Sequence, residues 1–91
     1  MDRLSPIERK TLKARAHALD PIIQLGGKGL TEAVIAEIGR ALDARELIKV
    51  RAGSMERDER AAAFTEICTR LAAQPVQHIG KVFVIYRKNE D

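Results

Sequence analysis

The spacing of apolar positions along this chain switches between a helical period and a period of two, and each switch marks an element boundary. Ser5-Pro6-Ile7-Glu8 carries a helix start: Ser5 suits the cap, Pro6 the first helical position, and Glu8 completes a capping box. A first helix is predicted over residues 6–18. At about 100° per residue, Ile7, Thr11, Ala14 and Ala18 form one stripe, expected to be buried, while Arg9, Lys10, Lys13 and His17 gather on a second, cationic side. Asp20-Pro21 breaks that helix, and Ile22-Ile23-Gln24-Leu25 reads as a short strand running into glycines. Thr31 offers the next cap, and Val34, Ile35, Ile38, Ala41 and Leu42 recur with helical spacing, predicting a helix to residue 44.

Residues 47–52 alternate, with Ile48, Val50 and Ala52 on one face and Lys49 and Arg51 on the other. Gly53-Ser54 punctuates this second strand, with Ser54 read as a cap. A third helix over 55–73 is expected to bury Ala61, Phe64, Ile67, Cys68 and Leu71, with Pro75 as its limit. Residues 76–86 hold two β-favouring runs about Gly80-Lys81, a hairpin with glycine first in the turn. Residues 87–91 form a charged tail with little reason to be ordered. Strands joined through a helix are normally parallel, whereas the hairpin must be antiparallel. The expected fold is therefore α/β, order α-β-α-β-α-β-β, with helices packed on a four-stranded mixed sheet.

Composition narrows the class. Ninety-one residues suit one domain spanning 1–91, and 45% apolar with 32% charged residues suits a soluble globular chain. No run approaches the ~20 apolar residues that cross a bilayer, and the N-terminus leads into no apolar signal segment. A cytoplasmic monomer without membrane contact is expected. Cys68 is the only cysteine, so no intrachain disulfide can form, and its apolar neighbours make it a small core residue. His17 and His78 lack partners at zinc-ligand spacing, and no metal or other cofactor is expected. The net charge of +3 is unevenly spread. Residues 1–31 carry six basic and three acidic side chains, and residues 32–91 carry ten of each.

Charge gives the two strand-to-helix loops different chemistry, although each precedes a helix start with free backbone N–H groups. After the second strand come Glu56, Asp58 and Glu59, which satisfy the positive helix end themselves. After the first come Gly26, Gly27, Lys28 and Gly29, which allow close backbone approach and add a cation. A strand precedes this G-x-x-G loop and a helix follows it, and K-homology domains use such a loop to clamp a nucleic-acid backbone. A nucleotide P-loop fails, because Gly29 stands where Ser or Thr is needed, and the dinucleotide fingerprint fails at Glu32. No nucleophile stands beside a base, since Ser5 and Ser54 read as caps, so an enzyme is not expected. One Tyr, two Phe and no Trp cannot build an aromatic base-stacking platform. Recognition should rest on backbone and shape more than on bases.

Residues 15–19, Pro21 to Gly26, the glycine loop with Leu30-Thr31-Glu32, Glu46 to Val50, and Gly80-Lys81-Val82 through Tyr86-Arg87 together resemble a CRM domain of the bacterial YhbY type. The resemblance implies a KH-like, stand-alone RNA-binding domain that associates with precursors of the large ribosomal subunit. It also implies that Gly26 and Gly29 are the flanking glycines of the G-x-x-G loop and that the basic first helix adjoins them. With the loop chemistry above, the expected RNA site is Gly26, Gly27, Lys28, Gly29 and Thr31, with Arg9, Lys10 and Lys13 as the adjoining surface. The family loop often reads Gly-Lys-Asn-Gly, whereas here the lysine stands one place later. A rival reading docks the basic helix on an acidic protein partner and leaves the glycine loop as a plain turn.

Overall fold

Seven elements follow one another in the computed structural model, which describes residues 4–89: α1 (Pro6–Ala16), β1 (Ile23–Gln24), α2 (Glu32–Arg45), β2 (Leu47–Arg51), α3 (Arg57–Leu71), β3 (Gln74–Ile79) and β4 (Val82–Tyr86). This is the expected order, in an α/β sheet of strand order β1-β2-β4-β3. β1 pairs parallel with β2, while β4 runs antiparallel to both β2 and β3. The last strand is thus inserted between two earlier ones, and the α3 crossover passes over one strand position.

Helices cover both faces. α2 and α3 close one side over Ile23, Leu25, Ile35, Ile38, Leu42, Ile48, Val50, Ile67, Phe83 and Ile85. α1 closes part of the other, where Leu12 and Ala16 meet Leu47, Val76 and Val84. Residues 48, 50 and 52 face the larger core as their alternation requires. The opposite face is only partly wet: Leu47 is buried, and Lys49 Nζ donates to the Leu19 carbonyl at 2.9 Å.

Several local expectations are corrected. The α1 capping box forms, with Ser5 Oγ accepting from Glu8 N–H at 3.1 Å and Glu8 Oε1 accepting from Ser5 N–H at 2.8 Å. The buried face, however, is Leu12 and Ala16, and Ile7 is 79% exposed. Thr11, Ala14 and Ala18 are exposed too. Leu12 and Ala16 share their cluster with the partly buried Leu4 and Leu19, so turning this side inward buries more apolar surface than a stripe holding one Ile and two Ala. In α3, Ala61 is exposed and Ala63 is buried, while Phe64, Cys68 and Leu71 lie half-buried against the core. Phe64 also meets Phe83 and His78, with ring centroids 5.2 and 5.4 Å away. Burial pushes the Cys68 thiol up to about 11, so it stays protonated at neutral pH.

Ser54 does not cap α3. Glu56 holds that position, and Glu59 Oε1 accepts the Glu56 N–H at 3.0 Å. Nor are residues 87–89 a loose tail: Arg87 donates to the Leu71 and Gly39 carbonyls and to Asp43 Oδ1, and Asn89 Nδ2 donates to the Asp43 carbonyl at 2.9 Å. The ends of α2 and α3 offer carbonyls without helical partners, and this segment supplies donors to those of Asp43 and Leu71. Residues 90 and 91 lie outside the described residues.

Candidate functional site

Strand register brings three connections to one end of the sheet. Gln24 stands opposite Arg51, Arg51 opposite Val82, and Val82 opposite Ile79. The glycine loop, the β2–α3 loop and the Gly80-Lys81 turn therefore all leave from this end, and Ala52 N–H donates to the Lys81 carbonyl at 2.7 Å. Ligands of open α/β sheets settle at such strand ends.

Within the glycine loop, the three glycines have different duties. Gly29 N–H donates to the Gly26 carbonyl at 3.0 Å, closing a turn. Gly29 has φ +71°, and a Cβ there would stand 3.3 Å from Met55 Cε. The fold itself requires this glycine. Gly26 and Gly27 have no positive φ, and a Cβ on either would meet nothing within 4 Å. Both are exposed, as is Lys28.

Ser54 braces the loop from below, its hydroxyl lying 3.3 Å from the Leu25 carbonyl and 3.1 Å from that of Gly26 and donating to this pair. Sequence reading assigned Ser54 to a cap because the adjacent helix start is a local signal. A bond across 28 positions leaves none.

Thr31 begins α2 as expected: its Oγ1 accepts the Val34 N–H at 3.2 Å, and its carbonyl accepts from Ile35 N–H at 2.9 Å. Earlier amides in the first turn have no carbonyl within the helix to bond. Glu32 sits among them, an acid that comparing the two loops overlooked. Arg70 of α3 answers it at 2.6 Å, and this hydrogen bond, aided by the charge, holds the Glu32 carboxyl below its ordinary value of 4.5. The start of α3 presents exposed Glu56, Asp58 and Glu59 instead.

The structure brings together Gly26, Gly27, Lys28, Gly29 and Thr31 but separates them from the front of α1. The Arg9 guanidinium donates to the carbonyl of Pro75, which belongs to the opposite edge strand and to the row of Ile48. Three strand spacings and three residues along the sheet put that anchor roughly 17 Å from Gln24. Lys10 is exposed and Lys13 half-buried on the same helix.

Arg51, read from sequence as an ordinary strand charge, is exposed at the loop's end of the sheet. With Pro21, Ile22, Ile23 and Gln24 it lines an open cleft. Among the described residues, no helix is long and apolar enough to cross a membrane.

A family model described as the CRS1 / YhbY (CRM) domain matches residues 4–87. A Haemophilus influenzae protein named as an RNA-binding protein is 42% identical over 91 residues, covering 100% of this chain and 92% of its own. A Pseudomonas aeruginosa relative, named a probable RNA-binding protein, is 43% identical over 86 residues, covering 94% and 83%. The solution structure of a Staphylococcus aureus protein, described as "a putative RNA binding protein", superposes with a TM-score of 0.83 at 33% identity, covering 97% of this chain and 92% of that one.

Proposed function

The chain belongs to the CRS1/YhbY (CRM) domain family, and from that premise we propose that it binds RNA, with residues 26–29 and the Thr31-capped start of α2 set against the ribose-phosphate backbone. The observation that carries this reading is the pair Gly26 and Gly27. Neither dihedral angle nor packing inside the chain asks for glycine there, whereas a phosphate approaching the backbone N–H groups does. Lys28 adds charge at the tip, and pairing of Glu32 with Arg70 lowers the repulsion that an acid at this helix start would otherwise exert. The three relatives carry RNA-binding names in agreement with this reading.

Arg9, Lys10 and Lys13 then serve a different purpose from the loop. At their distance they draw the polyanion in or hold a neighbouring stretch of it, and they do not share one phosphate with Lys28. The target implied by the family resemblance is ribosomal RNA in precursors of the large subunit. The protein acts there as a cytoplasmic, monomeric assembly factor and not as an enzyme.

Titrating isotope-labelled protein with a structured ribosomal RNA fragment tests the assignment residue by residue. The amide signals of residues 26–31 should move at the lowest RNA concentrations. Movement confined to α1, with those amides still, would transfer the RNA site to the helix, whereas no movement anywhere would favour the rival in which α1 docks on an acidic protein.

A further inference from the structure

Gln24 and Arg51 are cross-strand neighbours, and both side chains leave the sheet on the side away from α2 and α3. Ile23 and Leu25, on either side of Gln24, belong to the large core, as do Val50 and Ala52 on either side of Arg51. α1 and the turn that follows it cover that outer face lower down, where the Leu19 carbonyl accepts from Lys49 Nζ, and Arg51 is exposed one row higher. The opening is the cleft lined by Pro21, Ile22, Ile23, Gln24 and Arg51. Its lining on β1 ends at Gln24, two positions before Gly26.

The cleft is chemically mixed. Ile22 is 42% exposed and lies beside Pro21, giving an apolar wall. Arg51 and Gln24 make no side-chain hydrogen bond or ion pair with any described residue. Gly53 lies beside the Arg51 guanidinium, where a Cβ would make ordinary contact 3.9 Å from Nε. A planar cation, a free amide and an apolar wall match a flat heteroaromatic ring with polar edges.

Resting on the RNA-binding reading above, we propose that this cleft receives one unpaired nucleobase of the strand whose phosphates lie on residues 26–29. The Arg51 guanidinium stacks on the base, Ile22 and Pro21 contact its other surface, and the Gln24 amide bonds its edge. The expectation that recognition rests on backbone and shape is thereby amended at one position. An aromatic platform is missing, but a guanidinium plane stacks on bases as well. The acids that begin α3 border the glycine loop on the opposite face, so the strand leaves the loop toward Arg51. Double-stranded RNA, whose bases are stacked and paired, cannot fill the cleft.

The test compares wild-type protein with Arg51→Lys and Gln24→Ala by fluorescence anisotropy, using single-stranded RNA and the same RNA annealed to its complement. Arg51→Lys keeps the charge and removes the plane. It should weaken single-strand binding about tenfold with an unchanged salt slope and leave duplex binding alone. Gln24→Ala should weaken the single strand selectively by a smaller factor. Wild-type affinity retained by Arg51→Lys would overturn the cleft and leave the glycine loop standing. Failure of the wild-type protein to bind either RNA would overturn both.

Discussion

A methyl group added at Gly26 enters open space, and one added at Gly29 meets Met55 in a left-handed backbone. Gly29→Ala should therefore cost about 1–2 kcal/mol in urea unfolding, while Gly26→Ala and Gly27→Ala change stability by less than about 0.5 kcal/mol. Equal losses at all three positions would contradict this division of duties. The run of glycines was plain in the sequence, but which of them serves the fold was not, because the distinction lies in φ and in contact with a residue 26 positions away. Glu32 escaped notice for a similar reason, as its partner Arg70 comes from another helix. Its lowered pKa means a contribution to stability that is present above the ordinary carboxylate value and lost as pH falls through the folded value below 4.5. Titration followed by carbon-detected NMR should find the Glu32 midpoint back near its ordinary value in Arg70→Ala.

Elements were legible where local chemistry decides them. Ser5-Pro6-Ile7-Glu8, Thr31 and Gly80-Lys81 set starts and turns through bonds within a few residues, and all three features formed where expected. The face of α1 was not legible, because Leu12 competes with Ile7 and only the sheet beneath decides between them. Leu12→Ala should cost about 2–4 kcal/mol and Ile7→Ala less than about 0.5 kcal/mol in the same assay. The end of α3 carries a second local cost: Ala72 adopts φ 53° in the left-handed region, where glycine is at ease. Ala72→Gly should raise stability by about 0.5–1 kcal/mol, seen as a higher thermal midpoint. A fall would mean that the Ala72 methyl contributes more than its backbone costs.

For the whole molecule, the sequence indicated a mixed sheet and a glycine loop but not the insertion of β4 between β2 and β3, since pairing between distant strands leaves no local trace. That insertion matters, because it sets the Gly80-Lys81 turn beside the end of β2, where the Lys81 carbonyl accepts from Ala52 N–H. It also separates Arg9, anchored on Pro75, from the loop with which charge counting had grouped it. The most direct measurement compares wild-type and Gly27→Asp/Lys28→Asp protein for binding to a structured ribosomal RNA fragment over a series of salt concentrations. Wild-type affinity should fall steeply with salt, at a log-log slope of roughly 0.7 per single-strand phosphate contact. The variant should lose most of its affinity with an unchanged circular dichroism spectrum. Equal affinity and equal slope for the two proteins would contradict the account, leaving residues 26–29 a turn.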